Sequence, residues 1–280
     1  MKVCIVGLGL IGGSLALAAR KSKFATHIIG VDKNVIHAAR ALELGLVEEI
    51  LKLDIAIEYA DVIILATPVQ ILLHIVPYIL NKILPHQTLI EVGSTKSTLI
   101  QEVQSHVKRA QFVAAHPMAG TEFSGPDAAV EDLFVNKVCV ICNKEESSAH
   151  ALKVCQDFFT AIKMQLLYMD ADAHDVHTAY ISHISHLSSF ALALTVLEKE
   201  QDEEKIFDLA SGGFRSTVRL AKSNPDTWLP IFEQNRDNLL DVLDEHIHVL
   251  SIMRSCLIKK KFGELNDMMV RANDINRILK

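Results

Sequence analysis

The sequence predicts an α/β fold: a doubly wound parallel sheet followed by an all-α C-terminal region. Three observations carry this. Short apolar, β-rich runs alternate with helical patterns through roughly the first 165 residues, the mark of strands covered on both faces by crossover helices. A cluster of glycines follows the first run. Beyond about residue 171 glycine thins out apart from Gly212 and Gly213, and long helical periodicities take over. The expected domains are 1–168 and 169–280.

In order, strands are expected over 3–6, 28–31, 62–66, 88–92, 111–115 and 138–142, with helices over 12–21, 35–44, 70–83 and 98–107 between them. The C-terminal helices are expected over 173–199, 205–209, 217–221, 226–260 and 264–279, with a solvated polar junction over 198–205.

At 280 residues the chain is long enough to bury a large core, and two domains are expected. A net charge of −6 without a long basic run argues against a nucleic-acid partner. Residues 61–80 come closest to a membrane span, but Asp61, Pro68, Gln70, His74 and Pro77 interrupt them, so no membrane segment is expected. The five cysteines are too few and too odd for a disulfide framework, which points to the cytoplasm. Cys139 and Cys142 have CxxC spacing, but in a strand residues three apart face opposite ways, so core packing is expected of them.

The first strand runs into Gly7-Leu8-Gly9-Leu10-Ile11-Gly12. In a Rossmann-type domain Gly7 permits the tight turn, Gly9 lets backbone approach a pyrophosphate, and Gly12 lets helix pack on strand. The following helix offers free N–H groups to the phosphates. Asp32 ends the next strand 20 residues beyond Gly12, where its carboxylate accepts from ribose hydroxyls and repels a 2′-phosphate. That favours NAD, although Lys33 beside it offsets some of the repulsion. Thr67 and Pro68, after the strand over 62–66, are expected to line the same crevice.

Two further strands deliver polar groups in this way. One ends at Gly93-Ser94-Thr95-Lys96, the other at His116-Pro117. Proline fixes its own φ and pushes the preceding residue towards extended geometry, which places His116 at a strand end. If both strands are parallel, Ser94 and His116 meet beside the nicotinamide. A histidine there can take the proton of a substrate alcohol as hydride leaves the same carbon.

These motifs together resemble the prephenate/arogenate dehydrogenase family of tyrosine biosynthesis. The resemblance rests on GLGLIGGSLA (7–16), EVGSTK (91–96), HPMAGTEFSG (116–125), His174-Asp175, SHISHL (182–187) and GGFRSTVR (212–219), and covers nearly the whole chain. It implies NAD-dependent oxidation of a cyclohexadienyl ring alcohol with loss of the ring carboxylate, by a homodimer. It implies that His116 accepts the hydroxyl proton, Ser94 assists, and Arg219 binds a substrate carboxylate through its planar fork. Ser182, His183 and His186 are implied near substrate, and Glu122 and Trp228 around the pocket entrance. His174 and Asp175 are left unassigned and Arg215 is left outside the site. The chain begins at the first strand and stops near residue 280, so neither a fused mutase nor an appended regulatory domain is expected.

The histidines over 174–186 also invite a metal reading. At about 100° per residue, His183 and His186 lie roughly 60° apart, but His174 falls about 180° from His183 on a straight helix. They cannot all converge without a break, and no metal is expected. Prephenate as substrate is the first reading and arogenate the alternative. A different hydroxyacid or imine reductase, or a non-catalytic NAD-binding sensor, are the rivals.

Overall fold

The computed structural model describes residues 1–200 and 211–278, so the helix expected over 205–209 and part of the junction over 198–205 lie outside the described residues. Eight strands form one sheet: β1 (Lys2–Val6), β2 (His27–Val31), β3 (Glu49–Ile50), β4 (Val62–Leu65), β5 (Thr88–Glu91), β6 (Phe112–Pro117), β7 (Val138–Cys142) and β8 (Gln165–Met169). Their order is β3-β2-β1-β4-β5-β6-β7-β8. The chain winds outward from β1 to β2 and β3, then crosses back to β4 on the other side of β1, and ligands bind at such a switch point in open sheets.

The period-two alternation of side chains divides the core. Val3, Ile5, Val62, Ile64, Val113, Ala115, Cys139 and Ile141 join one apolar layer. Cys4, Val6, Ile63, Leu65, Phe112, Ala114, Val140 and Cys142 join the other. The first packs on α1 (Leu10–Lys21), α2 (Val35–Glu43) and α6 (Ala149–Ala161); the second on α3 (Leu53–Tyr59), α4 (Val69–Lys82) and α5 (Ser97–Val103). Each fully buried Val, Leu or Ile contributes about 1.5–3 kcal/mol relative to exposure. Cys139 and Cys142 fall in opposite layers, as their spacing requires, and burial pushes the Cys142 thiol up to about 12.

Several elements depart from expectation. Strand β7 runs antiparallel to β6, because residues 118–137 contain no crossover helix, only a 3₁₀ turn at Pro126–Ala128. Helix α6 then returns the chain so that β8 pairs parallel to β7. Strands β3 and β8 and helices α3 and α6 were not expected. Strand β8 is a half-exposed edge without apolar alternation, but α6 buries Ala151, Val154, Cys155, Phe158 and Phe159 at legible helical spacing.

After β8 come α7 (Ala171–Thr178), a π-helical turn (Ala179–His183) and α8 (Ile184–Glu200). The 29-residue run Ala171–Lys199 is by length and composition apolar enough to cross a membrane. It is also the run whose His174, Asp175 and His183 are buried and hydrogen-bonded inside the protein. The helix expected over 217–221 is instead α9 (Gly212–Thr217) plus a 3₁₀ turn (Arg219–Lys222). The single helix expected over 226–260 is two, α10 (Pro225–Gln234) and α11 (Arg236–Ile258), broken at Asn235, whose side chain is drawn into long-range hydrogen bonds.

Met1–Asn235 forms one compact unit and the chain from Arg236 a second. Helix α7 packs on α5 and β7, and α10 on α4, which ties these two helices to the sheet layer. The second unit is a helical hairpin of α11 and α12 (Phe262–Ala272), turned at Lys260 with φ +52°.

Candidate active site

The glycine turn after β1 is built as its sequence requires. Gly7 sits at φ +92°, a region closed to most side chains. An added Cβ on Gly12 would lie 1.8 Å from the Gly7 carbonyl oxygen, whereas one on Gly9 would meet nothing within 4 Å. Gly9 therefore leaves open the space a pyrophosphate needs. Leu10 and Ile11 begin α1 and stay partly exposed there. Asp32 accepts from the Leu8 N–H at 2.8 Å and the Asn34 N–H at 2.8 Å, which fixes the carboxylate beside the turn. Lys33 is exposed next to it. Across the switch point Thr67 follows β4, with its buried hydroxyl unpartnered among the described residues, and Pro68 caps α4. An open glycine, an unpaired hydroxyl and a fixed carboxylate around one crevice fit a dinucleotide. The Gly12→Ala variant forces strand and helix apart. It should lose at least ~10-fold in NAD affinity, read by titration calorimetry; wild-type affinity in the folded variant would show that this contact does not shape the site.

Strands β5 and β6 are parallel, with Glu91 opposite Ala114. Ser94 and His116, three and two residues beyond that pair, therefore emerge at one sheet edge. The turn carrying Ser94 is locked from beneath. Lys96 Nζ donates to Glu91 Oε1 at 2.6 Å and to the Gly93 carbonyl at 2.7 Å, and Glu91 Oε2 accepts the Gly93 N–H at 2.8 Å. Both charged side chains are fully buried.

His116 Nδ1 lies 2.8 Å from His174 Nε2, and His174 Nδ1 lies 2.7 Å from Asp175 Oδ1. Asp175 also accepts the backbone N–H groups of Lys96 and Ser97 at the start of α5. Burial above all, then His174, Lys96 and His183, holds the His116 imidazole well below its usual 6.5. Burial likewise lowers His174, against the pull of Asp175. Burial opposes ionisation of Asp175, but His174 and the Ser97 and Lys96 N–H groups hold its carboxyl below the usual range. The pair of imidazoles is neutral beside a carboxylate.

A π turn, Ala179–His183, breaks the α-helical spacing between His174 and His183, and both histidines act on His116. His183 is buried, with Nδ1 3.1 Å from Asn235 Nδ2, whose amide also donates to the Asp175 carbonyl at 2.7 Å. Burial lowers His183 to about 4. His186 donates from Nδ1 to the Ser182 carbonyl at 3.0 Å and stacks on Trp228 at 3.4 Å. Arg219 is half exposed and donates to Glu122 Oε2 at 2.8 Å, so the two are paired. Arg215 is exposed.

Sequence reasoning missed Asn235 and Lys96 and left His174 and Asp175 unassigned. Only Lys96 had a local signal, a lysine five residues after a glutamate inside an apolar strand and turn.

The crevice and the neutral imidazole beside it define the class: a dinucleotide-dependent dehydrogenase. Two family models match almost end to end, "Prephenate dehydrogenase, nucleotide-binding domain" over residues 15–168 and "Prephenate dehydrogenase, dimerization domain" over 170–271. The chain belongs to the prephenate dehydrogenase family, and it is an NAD-dependent oxidoreductase. It is 33% identical over 260 residues to the prephenate dehydrogenase of Bacillus subtilis (strain 168), spanning 90% of this chain and 69% of that one. The crystal structure of prephenate dehydrogenase from A. aeolicus, in complex with hydroxyphenyl propionate and NAD+, superposes with a TM-score of 0.91 at 26% identity, covering 100% of this chain and 98% of that one. Synechocystis arogenate dehydrogenase gives 0.78 at 28% identity, with both chains fully covered.

Proposed function

We propose that the chain converts prephenate to 4-hydroxyphenylpyruvate, with His116 as the base. One observation carries this reading: His116, at the end of β6, has its Nδ1 taken by His174, which leaves Nε2 as the ring nitrogen without a hydrogen-bond partner among the described residues. His116 Nε2 accepts the proton of the ring hydroxyl, while Ser94 orients that hydroxyl. NAD, when bound, takes up the hydride from the same carbon. The resulting dienone is conjugated to the carbon bearing the ring carboxylate, and the C–C bond to that carboxylate breaks as carbon dioxide leaves. Its electron pair aromatises the ring, and protonated His116 returns its proton to the phenolate oxygen. No net proton is released.

The remaining residues bind. Asn235 faces His183 Nδ1, which puts the His183 proton on Nε2 and makes this neutral imidazole a donor to substrate. Arg219 supplies the fork for the side-chain carboxylate, with Glu122 holding the guanidinium in place. Trp228 and the Ser182 carbonyl fix the ring of His186. Gly7, Gly9, Leu10, Ile11, Gly12, Asp32, Lys33, Thr67 and Pro68 form the NAD crevice. Residues 1–168 are then the NAD-binding domain and 169–280 the substrate and dimerisation domain.

The higher TM-score against the A. aeolicus prephenate enzyme (0.91 against 0.78) and the 33% identity to the Bacillus subtilis enzyme support prephenate first; the arogenate enzyme, slightly the more identical of the two in sequence (28% against 26%), keeps arogenate as the second reading. Purified protein with NAD should form NADH faster with prephenate than with arogenate. Faster turnover of arogenate would reverse the preference, and no NADH with either would defeat the assignment. Homodimer formation is supported by the dimerization-domain match and by exposed Leu194, Leu250, Ile258, Phe262 and Met269; sedimentation as a monomer at micromolar concentration would refute it. The five cysteines, all free, fit a cytoplasmic setting, which fractionation of cells would check.

A further inference from the structure

We propose that Asp175 and His174 act together as a positioning relay that places the single proton of His116 on Nδ1 and so keeps Nε2 bare towards the substrate. The inference rests on the reading of His116 as the base.

The argument is one of donors and acceptors. An ionised carboxylate can only accept, so His174 Nδ1, 2.7 Å from Asp175 Oδ1, carries the proton. A neutral His174 then has a bare Nε2. Among the described residues, the hydrogen-bond partner of that lone pair is His116 Nδ1, at 2.8 Å, which must donate. His116, neutral in turn, has its lone pair on Nε2. Each proton position follows from the one before it, starting from a carboxylate that two backbone N–H groups of α5 hold in place. Among the described residues, the charged and titratable groups around His116 are His174, Lys96 and His183, and those around His174 are Asp175, His116, Lys96, His177 and His183. None of them except Asp175 can accept the His174 Nδ1 proton in this arrangement. Without the relay, His116 would be free to carry its proton on Nε2, where it could not take one from an alcohol.

Asp175→Asn tests this with little change of shape. An asparagine can turn its oxygen to the Lys96 and Ser97 N–H groups and its NH₂ to His174 Nδ1. Every proton in the chain then reverses, leaving His116 with N–H at Nε2. The expected result is a fall in kcat of about 10²–10⁴-fold, the range of a lost general base, with KM for prephenate and NAD within threefold. Long-range ¹⁵N–¹H correlation spectra of histidine-labelled protein should show His116 protonated at Nδ1 in the wild type and at Nε2 in the variant. His174→Leu should lose at least ~100-fold in kcat, and His174→Gln, whose oxygen can still accept from His116 Nδ1, should recover at least ~10-fold of it. A purely structural role would move KM or the melting temperature and leave the tautomer alone. Wild-type kcat in Asp175→Asn, or a wild-type His116 protonated at Nε2, would overturn the relay. If instead His116→Asn kept its turnover, the base assignment would fail while the tautomer spectra stood on their own.

Discussion

Replacing His116 with asparagine should lower kcat by about 10²–10⁴-fold, because an amide cannot take the hydroxyl proton as hydride departs. Asparagine can still occupy the strand end and accept a hydrogen bond, so the loss isolates proton transfer from packing. The proposed NAD crevice draws on the ends of β1, β2 and β4, which pair with one another and not with β6, so NAD affinity should stay within threefold of wild type by titration calorimetry. The pH profile adds a second check. Burial, with His174, Lys96 and His183, holds His116 well below 6.5, so the imidazole is neutral and competent throughout the neutral range. The acid limb of the wild-type kcat should therefore lie below pH 6.5, as protonation finally removes the base. That limb should vanish from the residual activity of His116→Asn. Turnover within threefold of wild type would remove His116 from the chemistry.

The second large effect is on stability. Lys96→Met should lower the unfolding free energy by about 3–5 kcal/mol, because it strands the Glu91 carboxylate in a fully buried site. At about 2–4 °C per kcal/mol for a chain of this size class, the melting midpoint should fall by roughly 10 °C. Burial already pushes the Glu91 carboxyl up against the stabilising pull of Lys96, so the variant is expected to protonate Glu91 rather than keep a lone charge. Removing both partners, with Glu91→Leu and Lys96→Met together, should restore part of the loss. Full recovery is not expected, since the Gly93 N–H and carbonyl each lose a partner, at about 1–3 kcal/mol for each group left unsatisfied. A melting midpoint within 2 °C of wild type in Lys96→Met would show that the pair carries no stability. The same turn presents Ser94, so this variant should also turn over slowly at temperatures where it remains folded.

Much of this was legible in the sequence because it is local. The glycine spacing after β1 encodes a backbone path whose positive φ at Gly7 and close approach of Gly12 to the Gly7 carbonyl are local, although Gly7 also leaves room for the Ala66 carbonyl across the sheet. Pro117 marks the strand end on which His116 stands. The opposite facing of Cys139 and Cys142 follows from strand period alone. The reversal of β7 was less legible, since it depends on what residues 118–137 fail to form. Helix α6 was legible and overlooked, its apolar stripe being complete. Asn235 reads as nothing in sequence, one of six consecutive polar residues over 233–238.

The sequence by itself determined the fold class, the glycine turn after β1 and the family, because strand period, helix period and turn sterics act over a few residues. The tertiary structure alone decided which nitrogen of each histidine is free. His116 meets His174 across 58 positions, Lys96 meets Asp175 across 79, and Asn235 meets His183 across 52. A tautomer is set by the group facing each ring nitrogen, and those groups arrive only when β5, β6, the π turn and the end of α10 have packed together.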